Sequence, residues 1–229
     1  MKSEQSNKLI KLDRILNIAI IVTVIPAVAW YFSGSQDVVG AESLTCFRYF
    51  TTDSNILMAV VSAVWLWQLS KKRKNPSYEF PKWLTALRLA GTTSVTLTFL
   101  MCVFFLAPMA WMRRGIAGAL HFFTGNVFIL HFLSPVMAIT SFGLAADGKQ
   151  AKRLDCLWAI LPMFIYSIVY LIMVVLLGKW YDFYGFTFGG QYRIVPIVVA
   201  VIYLATFGMA SALKAIRNRS LSKASEGNL

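Results

Sequence analysis

Six apolar stretches, each long enough to cross a bilayer, account for most of the 229-residue chain. A hydrocarbon core of about 30 Å requires about 20 apolar residues in a helix. The stretches cover approximately residues 10–33, 45–69, 84–110, 117–142, 156–178 and 194–213. In lipid, only helices and closed barrels satisfy their own backbone polar groups, and these runs are too continuous for barrel strands. The sequence therefore predicts an all-α integral membrane protein, a six-transmembrane-helix bundle that forms one polytopic domain over residues 1–229.

The loops between these stretches alternate between poor and rich in Lys and Arg. Of the 22 basic residues, 17 fall in the two tails and in the second and fourth loops, a count that includes Arg88 and Arg217, and 5 fall in the remaining loops. Cytoplasmic loops carry the excess of basic residues in membrane proteins, so both termini are predicted to be cytoplasmic. The net charge of +12 then favours contact with anionic lipid at the cytoplasmic face. No nucleic-acid partner is predicted, because the basic loops are short and no folded nucleic-acid-binding domain adjoins them.

The outer start of the second helix is the most polar part of the membrane region. Ionisable side chains inside lipid cost about 2.5–3.5 kcal/mol each on insertion scales, so their presence points to function. Spacings of three and four residues place four side chains on one helix face, namely Arg48, Thr51, Thr52 and Asn55. Asp53 points away from Thr51 and needs a partner of its own, for which Arg113 is a candidate. For Thr52 and Ser54 a purely local role is the better explanation, since such hydroxyls bond to the carbonyl one turn earlier or join helices.

The fourth stretch contains both histidines of the chain, His121 near its outer end and His131 in an otherwise apolar run. A buried neutral imidazole titrates near working pH and is able to act as a general base. A histidine that is satisfied by a helix–helix hydrogen bond is an equally good explanation. Pro135 lies four residues after His131, where it removes the backbone donor for the carbonyl of residue 131 and predicts a bend in the helix.

The predicted outer loops contain the remaining candidate ligand-binding residues. Residues 179–193 form a dense mixture of aromatic residues and glycine that is typical of the membrane interface and resembles a lid more than a linker. For Trp180 and Tyr181, taken singly, an aromatic belt is the better explanation. Four arginines are expected around the outer mouth of the bundle: Arg48, Arg113, Arg114 and Arg193. Guanidinium groups in such a ring suit an anionic headgroup or a fatty carboxylate.

Three segments carry a resemblance to a known family: FRYFTTDSN at residues 47–55, LHFLSP at 130–135, and KWYDF at 179–183 with Tyr-Arg-Ile before the sixth helix. They resemble bacterial six-helix membrane proteins with FRYFTxxSN and LHxxxP signatures. More distantly they are similar to the androgen-induced eukaryotic family, which hydrolyses fatty acid esters of hydroxy fatty acids. The resemblance covers nearly the whole chain in helix order. It implies a multi-pass protein of the cell membrane, which in a bacterium is the plasma membrane.

The resemblance also implies a reaction. In that hydrolase family an intramembrane Thr nucleophile and a His cut the ester, and these two residues match Thr51 and His131. Thr51 would then attack a lipid or fatty-acid ester in the outer leaflet after losing its proton to His131, without a cofactor. Polar support and an oxyanion donor are expected among Asn55, Ser54 and Asp53, and substrate-binding residues among Arg48, Arg113, Arg193 and Tyr181.

The predicted depths of Thr51 and His131 in the membrane differ, which is an obstacle to their contact. If the second helix begins near residue 42 and the fourth near residue 118, Thr51 lies about 14 Å down its helix and His131 about 20 Å down its own. A tilt or a kink has to close that gap. No metal site is predicted, because two histidines at different depths with one acid are a poor ligand set.

Two other classes stay open from the sequence. A transporter or small-solute channel would use Arg48, Asp53, Asn55 and His131 to line a polar path, although the inner halves of the helices are expected to carry few polar residues. A noncatalytic lipid-binding or scaffolding membrane protein would use the same residues as a polar plug. Membrane lipids are the predicted partners of the hydrolase and of this third class, and no pattern in the chain specifies an oligomeric state.

Overall fold

The computed structural model describes residues 2–33, 43–144 and 148–226, with side chains from residue 7 to residue 223. This part of the chain is 84% helix and contains no strand. The α-helices are α1 (Lys2–Phe32), α2 (Phe50–Lys74), α3 (Lys82–Met101), α4 (Ala107–Leu120), α5 (Gly125–Phe128), α6 (Ser134–Leu144), α7 (Arg153–Trp158), α8 (Leu161–Leu171) and α9 (Val195–Glu226). They are joined or extended by 3₁₀ turns at Ser43–Arg48, His121–Phe123 and Tyr192–Ile194 and by π-helical turns at Cys102–Leu106, Ile129–Leu133 and Ile172–Leu176.

Five segments of the described chain are long and apolar enough to cross a membrane. They are Asn7–Phe32, Lys82–Phe123, Gly125–Leu144, Arg153–Leu176 and Tyr192–Lys223. The all-helical class predicted from the sequence is therefore confirmed, and these five segments are compatible with a multi-pass membrane protein.

The apolar stretch at residues 45–69 is the exception. It folds as α2, but polar residues from Thr51 to Asn55 occupy the first turns of this helix and basic residues from Lys71 to Lys74 the last turn, so the apolar part between them is short. Helix α2 packs between α1 and α3, where it buries its polar side chains. These are Thr51, Thr52, Ser54, Asn55, Ser62 and Gln68.

The bounds of the third and fourth predicted helices differ most from the structure. Helix α3 does not end at residue 110 but continues through the π-helical turn at Cys102–Leu106 into α4, which runs to Leu120. Gly115 interrupts α4 with φ of +66°, a conformation that glycine adopts without a Cβ penalty. The next helix begins at Gly125 rather than near residue 117, because residues 121–123 form a 3₁₀ turn instead.

Helices α2 and α3 approach closely at Gly91. A Cβ placed there would lie 3.0 Å from Val61 Cγ2 and 3.3 Å from Met58 Sδ. Inside a bilayer the hydrophobic effect does not drive helices together, and small residues allow helix backbones to pack closely. The surrounding core consists of apolar side chains from α1, α2, α3 and the segment 127–138, among them Ile20, Val24, Met58, Val61 and Leu130.

A buried ion pair ties the helices together at the end of the bundle that contains Asp13. Arg88 Nη2 donates to Asp13 Oδ1 at 3.3 Å, and the two side chains are 2% and 4% exposed. The same carboxylate accepts hydrogen bonds from Trp65 Nε1 at 2.6 Å and from the Ser141 hydroxyl at 2.5 Å. Side chains of α1, α2, α3 and α6 therefore meet at one carboxylate.

Two of the basic residues counted above as loop and tail cations are buried. Arg88 is 2% exposed and Arg217 is 1% exposed, and Arg217 donates to the carbonyls of Phe142 and Lys149. Their predicted place in the second loop and in the C-terminal tail is wrong, because Arg88 lies inside α3, within the stretch at 84–110, and α9 continues past residue 213 through Arg217. The expectation that this half of the bundle carries few polar residues is also wrong, since Asp13, Asn17 and Arg88 are buried here. Without the two arginines, 15 basic residues remain against 5.

Candidate active site

Thr51 and His131 are in direct contact. Thr51 Oγ1 lies 3.2 Å from His131 Nε2, and His131 Nδ1 lies 2.9 Å from the carbonyl oxygen of Val127. A carbonyl only accepts, so Nδ1 carries the hydrogen and the neutral ring has its lone pair on Nε2. The Thr51 hydroxyl therefore donates to Nε2. This is the polarity that a nucleophile and its general base require.

The depth obstacle disappears because both helices begin later than expected. Helix α2 begins at Phe50, so Thr51 is in its first turn. The fourth predicted helix begins at Gly125, which places His131 only about 9 Å from that start. The two side chains thus lie near the same end of the bundle.

A π-helical turn carries His131. It spans Ile129–Leu133, and the Ser134 N–H bonds to the carbonyl of Ile129, five residues earlier. In an α-helix that N–H would bond to the carbonyl of Leu130. Pro135, the next residue, has no N–H at all. Pro135 thus follows closely after a π-helical turn, a feature that is frequent at functional sites, and the bend predicted there stays a prediction.

Asn55 uses the carbonyl that this turn sets free. Its Nδ2 group donates to the Leu130 carbonyl at 3.0 Å and to the Thr51 carbonyl at 2.8 Å. Asn55 thus connects the backbone of the candidate nucleophile to the residue before His131. Both Nδ2 hydrogens are engaged in this way, so the predicted role of Asn55 as oxyanion donor does not fit this arrangement. Asn55 positions the two helices instead.

The site is enclosed and almost dry. Thr51 is 9% exposed and His131 7% exposed, and the Phe122 ring packs edge-on against the imidazole with centroids 5.9 Å apart. Thr51 faces a cavity of about 30 Å³ whose other walls are largely apolar, with Phe50, Tyr166 and Tyr184 on one side. A space of this size holds one or two water molecules.

Two tyrosines place hydroxyl groups in this cavity. The Tyr184 hydroxyl accepts a hydrogen bond from the Phe50 N–H at 3.1 Å and interacts with the hydroxyls of Tyr166 and Thr51. Tyr166 donates its hydrogen to the carbonyl of Arg48 at 2.6 Å. Burial raises the pKa of Tyr184 to about 12, so its hydroxyl is protonated at neutral pH. Among the described hydrogen bonds the Tyr184 hydroxyl only accepts, so its own hydrogen is available beside the candidate nucleophile.

Tyr184 belongs to the cap loop, residues 177–191, which Asp182 organises. The Asp182 carboxylate accepts hydrogen bonds from the Tyr170 hydroxyl, from both the backbone N–H and the hydroxyl of Thr187, and from the Phe186 N–H, all at 2.6–2.9 Å. Burial alone would raise the pKa of Asp182, but these hydrogen bonds lower it below its ordinary value of 3.8. The lid-like character predicted for residues 179–193 thus corresponds to a folded loop.

Replacing Asp182 with alanine is expected to loosen the cap loop by about 2 kcal/mol, because hydrogen bonds to a charged acceptor are lost. Since the pKa is lower in the folded loop, the ionised carboxylate stabilises the loop above about pH 4. That contribution is lost as the pH falls through the folded-state pKa. Hydrogen exchange of residues 179–191 measures both effects. Gln191→Ala, an exposed change in the same loop, is the control, and equal exchange in the two variants would contradict the role of Asp182.

The other predicted site residues do not all join this site. Ser54 is close by, with its hydroxyl 3.0 Å from that of Thr98 and 3.2 Å from the Thr51 carbonyl. Arg48 is half-buried, with Cζ 5.9 Å from the centroid of the Trp180 ring. Asp53 lies on a different face of α2 and lines a second cavity. Thr52 is fully buried.

Three residues that were predicted to bind substrate are at the surface. Arg113 and Arg193 are exposed, and Tyr181 is 63% exposed. Within the described chain, Asp53 forms no ion pair, so the suggested pairing with Arg113 is not made. Three contributors escaped the sequence-based prediction: Tyr166, Tyr184 and Asp182. The sequence signal for Tyr184 and Asp182 is their place in the aromatic and glycine-rich segment.

Comparison of the chain with protein-family models, with curated proteins and with solved structures gave no match. In the described ranges there is no group of three or more His, Cys, Asp or Glu side chains that could hold a metal ion. The candidate site is thus defined by its own geometry.

Proposed function

We propose that this protein is an intramembrane hydrolase of lipid or fatty-acid esters, with Thr51 as nucleophile and His131 as general base. The hydrogen bond from Thr51 to His131 Nε2, at 3.2 Å in a nearly dry pocket, is the observation that supports this proposal. A buried histidine with a purely structural role would also satisfy both ring nitrogens, so the feature that favours catalysis is the position of the hydroxyl bonded to Nε2. His131 Nε2 accepts the hydrogen of the Thr51 hydroxyl, and Thr51 lines a cavity.

The proposed topology has six spans and cytoplasmic termini. Helix α2 has 25 residues and is about 37 Å long, which exceeds the hydrocarbon thickness. Its polar side chains are shielded from lipid by α1 and α3, so it does not need the apolar composition of the other five spans. The excess of basic residues at the Asp13 end supports a cytoplasmic position for that end, and in the proposed topology Thr51 is then in the outer half of the membrane.

The reaction follows from the positions of the hydrogens. The Thr51 hydroxyl gives its proton to His131 Nε2, and its oxygen attacks the ester carbonyl carbon. As the tetrahedral intermediate collapses, the leaving alkoxide takes the proton from Nε2, and an acyl-threonine remains. A water molecule then repeats the steps with His131 as base, which releases the fatty acid and restores Thr51. Tyr184, rather than Asn55, is the oxyanion donor in this scheme.

The surroundings favour an apolar acyl group. Leu97, Met101, Met163 and Ile202 line the cavity beside Thr51, and the half-buried Arg48 lies at the neighbouring end of α2. Arg48 would hold an anionic group of the substrate through charge-assisted hydrogen bonds. Arg113, Arg193 and Tyr181 would contact lipid headgroups at the surface.

Covalent labelling tests the nucleophile. A fluorophosphonate probe is expected to label Thr51 in the full chain in detergent or nanodiscs, and Thr51→Ala is expected to lose the label. Thr52→Ala is the matched control, because Thr52 is the adjacent buried threonine and has no contact with His131 in the described hydrogen bonds. Intact-protein mass spectrometry reads the result. Labelling that survives Thr51→Ala, or no labelling of the wild type, would refute the enzyme.

The buried polar groups at the Asp13 end bear on the alternative of a transporter. They provide the polar inner half that such a path requires. Along α2, however, Met58 and Val61 lie between Asn55 and Trp65 and pack in an apolar cluster with Ile20 and Leu130. This layer interrupts the polar face of α2. At the same level α3 buries several hydroxyls, among which Ser94 and Thr96 donate to the carbonyls of Ala90 and Thr92 within their own helix. We therefore propose the hydrolase rather than a transporter. If the labelling test fails, a noncatalytic lipid-binding protein is the remaining hypothesis.

A further inference from the structure

A second cavity opens beside the candidate active site. It has a volume of about 260 Å³. It is lined by residues of α2 and α8, including Asp53 and Tyr166, together with Phe47 before α2 and Trp180 after α8. We call it the Asp53 groove. Its far wall contains Ile165 and Val169, which are 55% and 44% exposed on the outside of the bundle. The groove therefore opens sideways, toward the surface that faces lipid.

Asp53 is the unusual member of this groove. Within the described chain its carboxylate has no hydrogen-bond or ion-pair partner, although the residue is only partly exposed. Apart from Ser54, the other residues that line the groove are apolar or aromatic. It lies in the first turn of α2, where the helix dipole favours a negative charge. A carboxylate at membrane depth without a partner indicates that the partner is a ligand.

The walls around Asp53 define the ligand's chemistry. Trp180, Tyr166, Phe47 and Phe50 surround the groove, and aromatic faces together with a carboxylate are the groups that recognise an ammonium ion. Arg48 lies at the edge of this region, with its guanidinium 5.9 Å from the Trp180 ring. Arg48 itself does not line the groove, but the Trp180 ring that it contacts does.

We propose that the Asp53 groove binds the headgroup of a zwitterionic phospholipid. The ammonium group contacts Asp53 and the aromatic walls, the phosphate contacts Arg48, and the acyl chains lie along Ile165 and Val169. The groove and the cavity at Thr51 share two walls, the rings of Phe50 and Tyr166, whose centroids are 5.1 Å apart. A lipid in the groove is therefore one aromatic pair away from the candidate nucleophile.

Lipid retention tests this binding independently of catalysis. The full chain is reconstituted in nanodiscs that contain equal amounts of phosphatidylethanolamine and phosphatidylglycerol, and native mass spectrometry measures the ratio of the two lipids in singly lipidated protein. Asp53→Asn is expected to lower the ratio of phosphatidylethanolamine to phosphatidylglycerol about fivefold, because a charged hydrogen-bond acceptor is lost. Arg48→Gln is expected to weaken retention of both lipids.

Matched controls separate the groove from general electrostatics. Glu79→Gln removes one negative charge at an exposed site and is expected to keep the wild-type ratio, and Arg114→Gln is the corresponding control for Arg48. Thr51→Ala is expected to keep the wild-type ratio as well, so failure of the hydrolase proposal would leave this one standing. A ratio in Asp53→Asn equal to that in Glu79→Gln would overturn the proposal. Replacing phosphatidylethanolamine with phosphatidylcholine tests whether a quaternary ammonium group is also bound, and retention that depends on Asp53 supports the groove with either lipid.

Discussion

His131→Ala is expected to lower the rate of ester hydrolysis about 10³-fold, as is typical for loss of a positioned general base. His131 Nε2 is the acceptor for the Thr51 hydroxyl, and no other described nitrogen base contacts that oxygen. Without it, the hydroxyl keeps its proton and is a weak nucleophile. Release of fatty acid from a fluorescent lipid ester, with the full chain in liposomes, measures the effect.

The second histidine provides the matched control. His121 lies in the 3₁₀ turn before α5 and is exposed, so His121→Ala is expected to keep the wild-type rate. The fluorophosphonate label should follow the same pattern, because labelling also needs a deprotonated Thr51. If His131→Ala stays within tenfold of His121→Ala, the imidazole is not the base and Thr51 is a structural hydroxyl.

The pairing of Thr51 with His131 was within reach of the sequence through the resemblance, but its geometry was not. Helical spacing identifies the face of α2 that carries Thr51 and Asn55, and Pro135 marks the irregular turn. The starting residues of the two helices decide how deep the side chains lie, and these depend on local turns at Ser43–Arg48 and His121–Phe123. Such boundaries are the least determined part of a hydrophobicity pattern.

Asn55 illustrates a second limit. Its residue type suggests a donor to a substrate, yet its hydrogens go to the carbonyls of Thr51 and Leu130. The Leu130 carbonyl is available only because the π-helical turn moves the Ser134 hydrogen bond to Ile129. Nothing in the spacing of polar residues reveals a carbonyl that a neighbouring helix sets free. Tyr184 was missed for a related reason, since a loop residue reaches the site only after the loop has folded around Asp182.

The Asp13–Arg88 pair was missed because the two residues are 75 positions apart and each lies within the first few residues of its apolar stretch, where Arg88 was counted with the neighbouring loop. Basic residues at such positions are ordinarily counted as loop cations. Here Arg88 is also covered by the Trp65 ring, with its Cζ 3.9 Å from the ring centroid. The consequence is a polar crosslink in the half of the bundle that was expected to carry few polar residues.

Arg88→Met is expected to lower the free energy of unfolding by about 3–5 kcal/mol, because it leaves the Asp13 carboxylate buried without its cation. Asp13→Asn combined with Arg88→Met is expected to recover a large part of this loss, since the double variant buries no charge. Chemical unfolding of the full chain in mixed micelles measures both variants.

The exposed pair of Lys149 and Glu79 is the matched control. Its N–O distance of 3.1 Å is similar to that of the buried pair, but its side chains are 40% and 82% exposed. Water screens such a pair, so Lys149→Met is expected to cost at most about 1 kcal/mol. A loss in Arg88→Met as small as that in Lys149→Met would mean that water reaches Asp13. In that case the Asp13 end is a polar cavity that is open to water. Such a cavity is expected of a transporter, whereas the proposed enzyme needs a polar site only at the Thr51 end.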